Sequence, residues 1–586
     1  MKSFLKFTLA SIVGIILASV LLFFIFVGIV SSIASSKDDP TSVKNNSVLS
    51  IKLKSLVVDR AEKNPFEDLD LPGLNNTSKI GLNDILKNIE KAKKDDRIKG
   101  IYINTTGVAA GYASIEEIRD ALIDFKKSEK FIYSYSDVYT QKAYYLASVA
   151  DSIIMNPEGM FELKGLAGGV TFYKDVMKKV GVEMQVIRHG KFKSAVEPFL
   201  RNNMSEANRE QTETFIGSIW NHVVKGIASA RNIEIAQINK LADAGISFQE
   251  PTVALSNKLV DNLKYKDQVL DDLRALTGTK AKKPINSVSL SSYTSAVVPG
   301  KKKLHKDKIA IVYAEGGIDS GSDGINSDKI SKAIRKARLD TTVKAVVLRI
   351  NSPGGSALGS DIMWREVVLT KKEKPIIASY GNVSASGGYY MSCAADMIIA
   401  SPTTITGSIG VFGMIPNVEK LMEDKIGIHT DVVKTNKHSD FPTINRSMTA
   451  YERQLMQTSV ENTYDTFISH VSEGRKMTKD AVDKIGQGRV WSGENAIGIG
   501  LIDEFGGLNR AIELAKEKAG LEQFRVIELP KQKDPIEELL KDFGANAKSM
   551  IMKSYMGEAY QYLQMVEKAR NMKGVQAAMP YELTIY

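Results

Sequence analysis

The chain has 586 residues, 43% of them apolar and 25% charged, with 78 basic and 68 acidic side chains, a net charge of +10 and a single cysteine. Those fractions belong to a folded protein rather than a disordered one, and one cysteine excludes both an intramolecular disulfide framework and a cysteine-rich metal site. The basic excess is diffuse and forms no clustered face of the kind that nucleic-acid binding needs.

The start of the chain departs from this average. Phe7 to Ser36 carries no charge, and Ile12 to Val30 is almost wholly apolar. A membrane-spanning helix needs about 20 apolar residues, whereas a secretory signal has an apolar region of about 7–15. The length predicts a retained single-pass anchor over residues 1–36; the alternative is a signal cleaved near Ala34. Lys2 and Lys6 precede the run, and Lys37, Asp38 and Asp39 follow it. The positive-inside rule therefore puts the N-terminus in the cytoplasm and everything after residue 36 across the membrane. Residues 37–48 read as a polar tether.

The remainder is a tandem repeat. Residues 142–168 and 387–413, an offset of 245, share nine identities in 27 ungapped positions, among them Tyr144–Tyr145 with Tyr389–Tyr390 and Ala150–Asp151 with Ala395–Asp396. An internal duplication accounts for this. The first repeat is assigned to residues 37–277 and the second to 308–530. The Lys-, Ser- and Pro-rich stretch 278–307 reads as a linker, and 531–586 as an extension with a helical pattern followed by a strand-like MPYELTIY. In the second repeat, strands are predicted at 308–314, 344–350, 375–380 and 397–401. Helices are predicted over 327–338, around Met363–Leu369 and over 386–394. Such alternation predicts a largely parallel α/β architecture.

The two repeats differ where chemistry would lie. The strand at 344–350 runs into Asn351-Ser352-Pro353-Gly354-Gly355-Ser356. Paired glycines let backbone N–H groups approach a ligand, as an oxyanion hole requires; an ordinary tight turn is the other reading. Ala385-Ser386-Gly387-Gly388 follows a strand and opens a helix, so Ser386 reads either as an exposed nucleophile or as a simple helix cap. The first repeat has Gly107-Val108-Ala109-Ala110 and Thr140-Gln141-Lys142-Ala143 at these places. Pure packing would persist in both copies, so the loss suggests that one copy keeps a nucleophile and the other does not. A serine nucleophile needs a base. None of the six histidines shares a motif with Ser386. A lysine can serve instead if burial brings it down from its ordinary value; Lys193, between Phe192 and Ser194-Ala195-Val196, is a candidate. His189 is the rival base and Ser384 a rival nucleophile. Cys393 reads as a small buried residue.

The motifs FKSAVEPF, NSPGGSA, SASGGYYMS and TITGSIGVFG, spaced as here, resemble the long, duplicated form of the signal peptide peptidase A family, also called protease IV. The likeness extends over essentially the whole chain. It implies a ClpP/crotonase-like fold in each repeat and a serine endopeptidase with no metal or cofactor. It implies Ser386 as nucleophile, Lys193 as general base and Ser408 as the serine that orients the lysine, with Gly387, Gly354 and Gly355 at the oxyanion. It also implies a homotetramer in the inner membrane, its repeats on the periplasmic side, acting on remnant signal peptides. A crotonase-like acyl-CoA enzyme and a non-catalytic membrane scaffold are the alternatives.

Overall fold

The duplication in sequence is a duplication in structure. This computed structural model describes residues 2–36, 41–62, 79–298, 305–321, 324–532, 575–579 and 584–585. The 245-residue offset carries the helix Leu82–Lys94 onto Ser327–Leu339 and the helix Tyr112–Lys126 onto Ala357–Lys371. Later in each repeat, the long helices Glu206–Arg231 and Ala450–Arg475 correspond after a one-residue slip.

Each repeat is built on a sheet whose strands are rich in Ile, Val and Tyr. The central strands Ile98–Ile103 and Val343–Ser352 are buried along almost their whole length, as a parallel sheet packed by helices demands. The first sheet runs Ser287–Ser289, Ser47–Ile51, Ile98–Ile103, Phe131–Tyr139, Ser152–Phe161 and Asn262–Leu263, all parallel. The main path of the second runs Val490–Ser492, Ile405–Gly407, Ile376–Ala385, Val343–Ser352, Lys308–Glu315 and Arg525–Leu529; only its first pairing is antiparallel. The predicted α/β architecture and the second repeat's element order are therefore present.

One reading needs correction. The stretch 278–307 is not all linker. Ser287–Ser289 forms the edge strand of the first sheet, and the helix Leu290–Ser295 buries Leu290 and Tyr293 in the first core. Val288, Leu290, Tyr293 and Ala296 are buried in that core, in a segment whose Ser and Lys content hid them. The extension after 530 also returns to the body. Most of it lies outside the described residues, but Gln576–Ala578 and Thr584–Ile585 are strands, the latter within the strand-like MPYELTIY.

Contacts between the repeats include a shared sheet and a buried ionic cluster. A third, antiparallel sheet runs Gly354–Ser356, Gln576–Ala578, Phe412–Asn417, Glu183–Arg188, so a first-repeat strand borders second-repeat strands. In addition, fully buried Arg349 of the second repeat meets Asp59 Oδ1 at 2.7 Å and Glu117 Oε1 at 2.6 Å, both from the first.

The N-terminal residues Lys2–Ser36 form one helix. Among the described residues no helix is long and apolar enough to cross a membrane.

Candidate active site

The lysine reaches its place by crossing from one repeat to the other. After the strand Glu183–Arg188, the chain is tied to the second repeat by the N–H of His189 donating to Val411 O (3.2 Å) and that of Phe192 donating to Gln487 O (3.0 Å). A glycine is required opposite: Gly488 has φ +84°, and a methyl group there would stand 2.6 Å from the Lys193 backbone. From the long helix Glu206–Arg231, Gln211 Nε2 donates to Phe192 O (3.2 Å) and to Ser194 Oγ (2.9 Å), while its Oε1 accepts from Val490 N–H (3.0 Å). These contacts fix the loop that carries Lys193 against the second repeat.

Lys193 is wholly buried. Its Nζ lies 2.9 Å from Ser386 Oγ, 3.1 Å from Ser408 Oγ and 3.3 Å from Ser408 O. All three partners are neutral, so nothing there offsets the cost of burying an ammonium, and burial pushes the amine well below its ordinary value. A neutral amine within hydrogen-bond reach of a hydroxyl is a competent proton acceptor.

Both serines sit on unusual backbone. Ser386, at the end of the strand Ile376–Ala385, has φ 55° and ψ −113°, and its N–H donates to Gly407 O (2.8 Å). Ser408 has φ 48° and donates its N–H to Arg489 O (2.6 Å). Positive φ is uncommon for non-glycine residues and collects at sites where surrounding structure over-determines the geometry. Here the turns aim both side chains at one amine.

The glycines keep a channel open beside Ser386. Gly354 has φ +96°; a methyl group on it would stand 2.7 Å from Gly387 N and would collide with Ala577 O. A methyl on Gly387 would stand 2.6 Å from Ser360 Oγ. The channel holds a strand of the chain's own C-terminal segment. Gln576–Ala578 pairs antiparallel with Gly354–Ser356 in the register Gly354↔Ala578, Gly355↔Ala577, Ser356↔Gln576, and touches Phe412 on its other side. Met579 N–H donates to Pro353 O (2.6 Å) and Ala357 N–H to Val575 O (3.3 Å). Ala577 is fully buried, with its carbonyl against Gly354 and Gly387. This is strand addition to a sheet edge, a general way of holding an extended peptide.

The rival readings lie elsewhere. His189 Nδ1 is 2.7 Å from Glu461 Oε2, and its ring stacks on Tyr464 with centroids 3.8 Å apart. Cys393 is buried, and burial pushes its thiol up to about 12, so it is no ready thiolate. Ser384 is buried as well, but the hydrogen bonds of Lys193 Nζ go to Ser386 and Ser408. Exchanging His189 for Ala is therefore expected to leave kcat/KM within about threefold of the parent, while Lys193→Ala abolishes peptide hydrolysis; a side-by-side assay at pH 8 checks this.

The signature of peptidase family S49 matches residues 124–280 and 369–522, one block in each repeat. Protease 4 of Salmonella typhi is 37% identical over 460 residues, covering 76% of this chain and 73% of its own length. The chain belongs to peptidase family S49. Another relative is the chloroplastic serine protease SPPA of Arabidopsis thaliana, 32% identical over 86% of this chain and 74% of its own. An Enterococcus faecium protein provisionally named signal peptide peptidase SppA is 33% identical over 39% of this chain and 67% of its own. This S49 chain is a serine protease, which sets aside the acyl-CoA enzyme and the scaffold.

The S49 site also contains residues that the sequence did not single out. Gly488 and Gln211 position Lys193 from distant segments. For Gly488 the signal was Gly486-Gln487-Gly488 before a strand; Gln211 sits in a long polar helix with no local mark.

Proposed function

We propose that Ser386 and Lys193 form the catalytic dyad of a membrane-anchored endopeptidase. The observation that carries this reading is the 2.9 Å approach of a buried lysine amine, bonded only to neutral oxygens, to a serine hydroxyl. Neutral Lys193 takes the Ser386 proton as Oγ attacks the scissile carbonyl. Gly354 N–H is engaged with Ser352 Oγ at 3.1 Å, so Gly355 and Gly387 N–H are the oxyanion donors, while Gly354 keeps the backbone space clear. The Lys193 ammonium then protonates the leaving amine and the C–N bond breaks. Lys193 next deprotonates a water that opens the acyl-serine ester, and the proton returns to Ser386. Ser408 orients the amine throughout.

The substrates are remnant signal peptides; the name of the Enterococcus relative and the apolar surroundings of Ala577 support this. The uncharged run Phe7–Ser36 within the helix Lys2–Ser36 supports a single-pass anchor in the inner membrane, with its basic N-terminus in the cytoplasm and the repeats on the periplasmic side. The alternation of parallel strands and helices in both repeats, with a serine on a sharp strand-to-helix turn, supports a ClpP/crotonase-like unit. A homotetramer is supported by exposed Ile428, Val432 and Val433, which lie at the 245 offset from the paired strand Glu183–Arg188. Detergent-solubilised protein is expected to have four times the chain mass by light scattering and to fragment a synthetic signal peptide in vesicles. Failure of that peptide to be cut while soluble apolar peptides are cut would overturn the substrate assignment.

A further inference from the structure

The first repeat keeps a groove where the second has its active site. At the 245 offset, Ser386 falls on Gln141, Gly387 on Lys142, Gly355 on Ala110 and Gly413–Met414 on Gly168–Gly169. Gly107, Thr140, Gln141 and Lys142 are among the residues lining an open cleft of about 560 Å³. It has no nucleophile at the serine position. The Gln141 amide donates to Tyr112 Oη (3.0 Å) and Gly165 O (3.2 Å), and its carbonyl accepts from the N–H groups of Lys164 and Gly165 (3.0 and 3.1 Å). Lys142 Nζ donates to Ala110 O (2.9 Å) and lies 5.4 Å from the centre of the Tyr112 ring. The cleft thus has room and an amine but no nucleophile.

What such a groove receives is indicated by the tail. Gln576–Ala578 lies in the catalytic channel beside Phe412–Asn417. The end of the same tail, Thr584–Ile585, pairs antiparallel with Gly168–Gly169, in the register Thr584↔Gly169 and Ile585↔Gly168. Gly168–Gly169 is the first-repeat counterpart of Gly413–Met414 in the strand bordering the channel. The tail therefore pairs with the second repeat at Gly354–Ser356 and Phe412 and with the first at Gly168–Gly169, whereas Gly413–Met414 pair with Val186–Ile187. Five residue steps separate Met579 from Thr584, a reach of about 17 Å for extended chain, and Met579 already packs against the first repeat's core.

We propose that the serine-less groove of the first repeat is a distal peptide subsite, which takes the leaving-group side of an extended substrate about seven residues beyond the scissile bond. The tail supplies the ruler: Thr584 stands seven positions after Ala577, whose carbonyl lies at the oxyanion glycines. Recognition is by main-chain pairing to an edge free of side chains, so it selects length and extension rather than sequence, with Lys142 available to a peptide carbonyl or terminal carboxylate. This inference rests on the catalytic reading above for the position of the scissile bond.

Two fluorogenic peptides test it, identical through the fourth residue past the cleaved bond, one ending there and the other continuing to the tenth. In the full-length parent protein the longer peptide is expected to have about a tenfold lower KM. In Gly168→Pro/Gly169→Pro, and independently in Lys142→Glu, the ratio of the two KM values is expected to fall to about one. Each variant is judged by its own ratio, so a general loss of activity cancels. The same ratio is read as Kd by fluorescence anisotropy on Ser386→Ala, which needs no turnover. A ratio near one in the parent, or near ten in both variants, overturns the distal subsite. Absence of cleavage with a retained Kd ratio would instead overturn the catalytic assignment and leave the subsite standing.

Discussion

Exchanging Ser386 for Ala, or Lys193 for Met, is expected to lower kcat/KM for peptide hydrolysis by about 10⁴- to 10⁶-fold, the range seen when a member of a nucleophile–base unit is removed. Lys193→Arg should be no better, because a guanidinium stays protonated and cannot take the serine proton. The pH dependence follows from the direction of the shift. Lys193 is held well below its ordinary value by burial, so the parent's kcat/KM should rise with pH through that lowered value, as the ammonium gives up its proton. Stability moves in the opposite sense from activity in the Met variant. Between the lowered folded value and the ordinary unfolded one, the unfolded chain binds a proton that the folded chain refuses. Folding of the parent is therefore disfavoured in that window, and the handicap shrinks as pH rises. Lys193→Met removes it, so the inactive variant should unfold at a higher denaturant concentration than the parent at pH 7, with the gap narrowing toward pH 10. A variant of equal or lower stability at pH 7 would contradict the account of a neutral lysine buried at a cost to the fold.

How far the site could be read from sequence depends on whether its signal was local. Ser386, Gly387, Gly354 and Gly355 stand in short motifs, and the first repeat supplied the contrast that made them visible. Lys193 has no such mark. Its burial comes from Gln487 and Gly488, nearly 300 positions away, and from Gln211 in a polar helix. Its apolar neighbours made it a candidate, and family likeness gave it the role. Ser408 lay in a recognisable Thr-Gly-Ser-Ile-Gly turn, but its positive φ and its direction toward the amine are tertiary facts. The parallel strands and their helices were legible because their apolar runs and periodicity are strong. The edge strand Ser287–Ser289 was not, since a single buried Val288 between two exposed serines leaves no pattern. The tail was hidden for a related reason: Gln576-Ala577-Ala578 is held by main-chain pairing, which composition does not record.

Arg349 is where loss of one side chain should cost the fold most. In the strand Val343–Ser352 it passes for a polar interruption, yet it is wholly buried. Its Nε and Nη2 donate to Asp59 Oδ1 at 2.9 and 2.7 Å, Nη2 also donates to Glu117 Oε1 at 2.6 Å, and Nη1 donates to Ser379 Oγ at 3.0 Å. Glu117 Oε2 in turn accepts from Leu508 N–H at 2.7 Å. Asp59 Oδ1 and both oxygens of Glu117 are thus paired with a cation and an amide of the second repeat, while Asp59 Oδ2 is buried without a hydrogen-bond partner among the described residues. Removing one partner of a buried ionic group costs about 3–5 kcal/mol, and Arg349→Met should lose about that much in urea unfolding near pH 8. Burial already holds Glu117 above its usual range, against the pull of Arg349; without the guanidinium it moves further up. A carboxyl raised in the folded state contributes stability below its unfolded value, and that contribution is lost as pH rises through the folded one. The deficit of Arg349→Met should therefore be smallest in acid and grow toward neutrality. Adding Asp59→Asn and Glu117→Gln to Arg349→Met should recover much of the loss. Amides leave no buried charge without a partner, and the side-chain carbonyl that Glu117→Gln retains still accepts from Leu508 N–H. Activity should follow the same order, because Lys193 comes from the first repeat and Ser386 from the second. A hydrogen bond of 2.9 Å between them depends on the seam that Arg349 closes. An Arg349→Met chain with parent-like stability at pH 8 would show that the seam is held by packing alone.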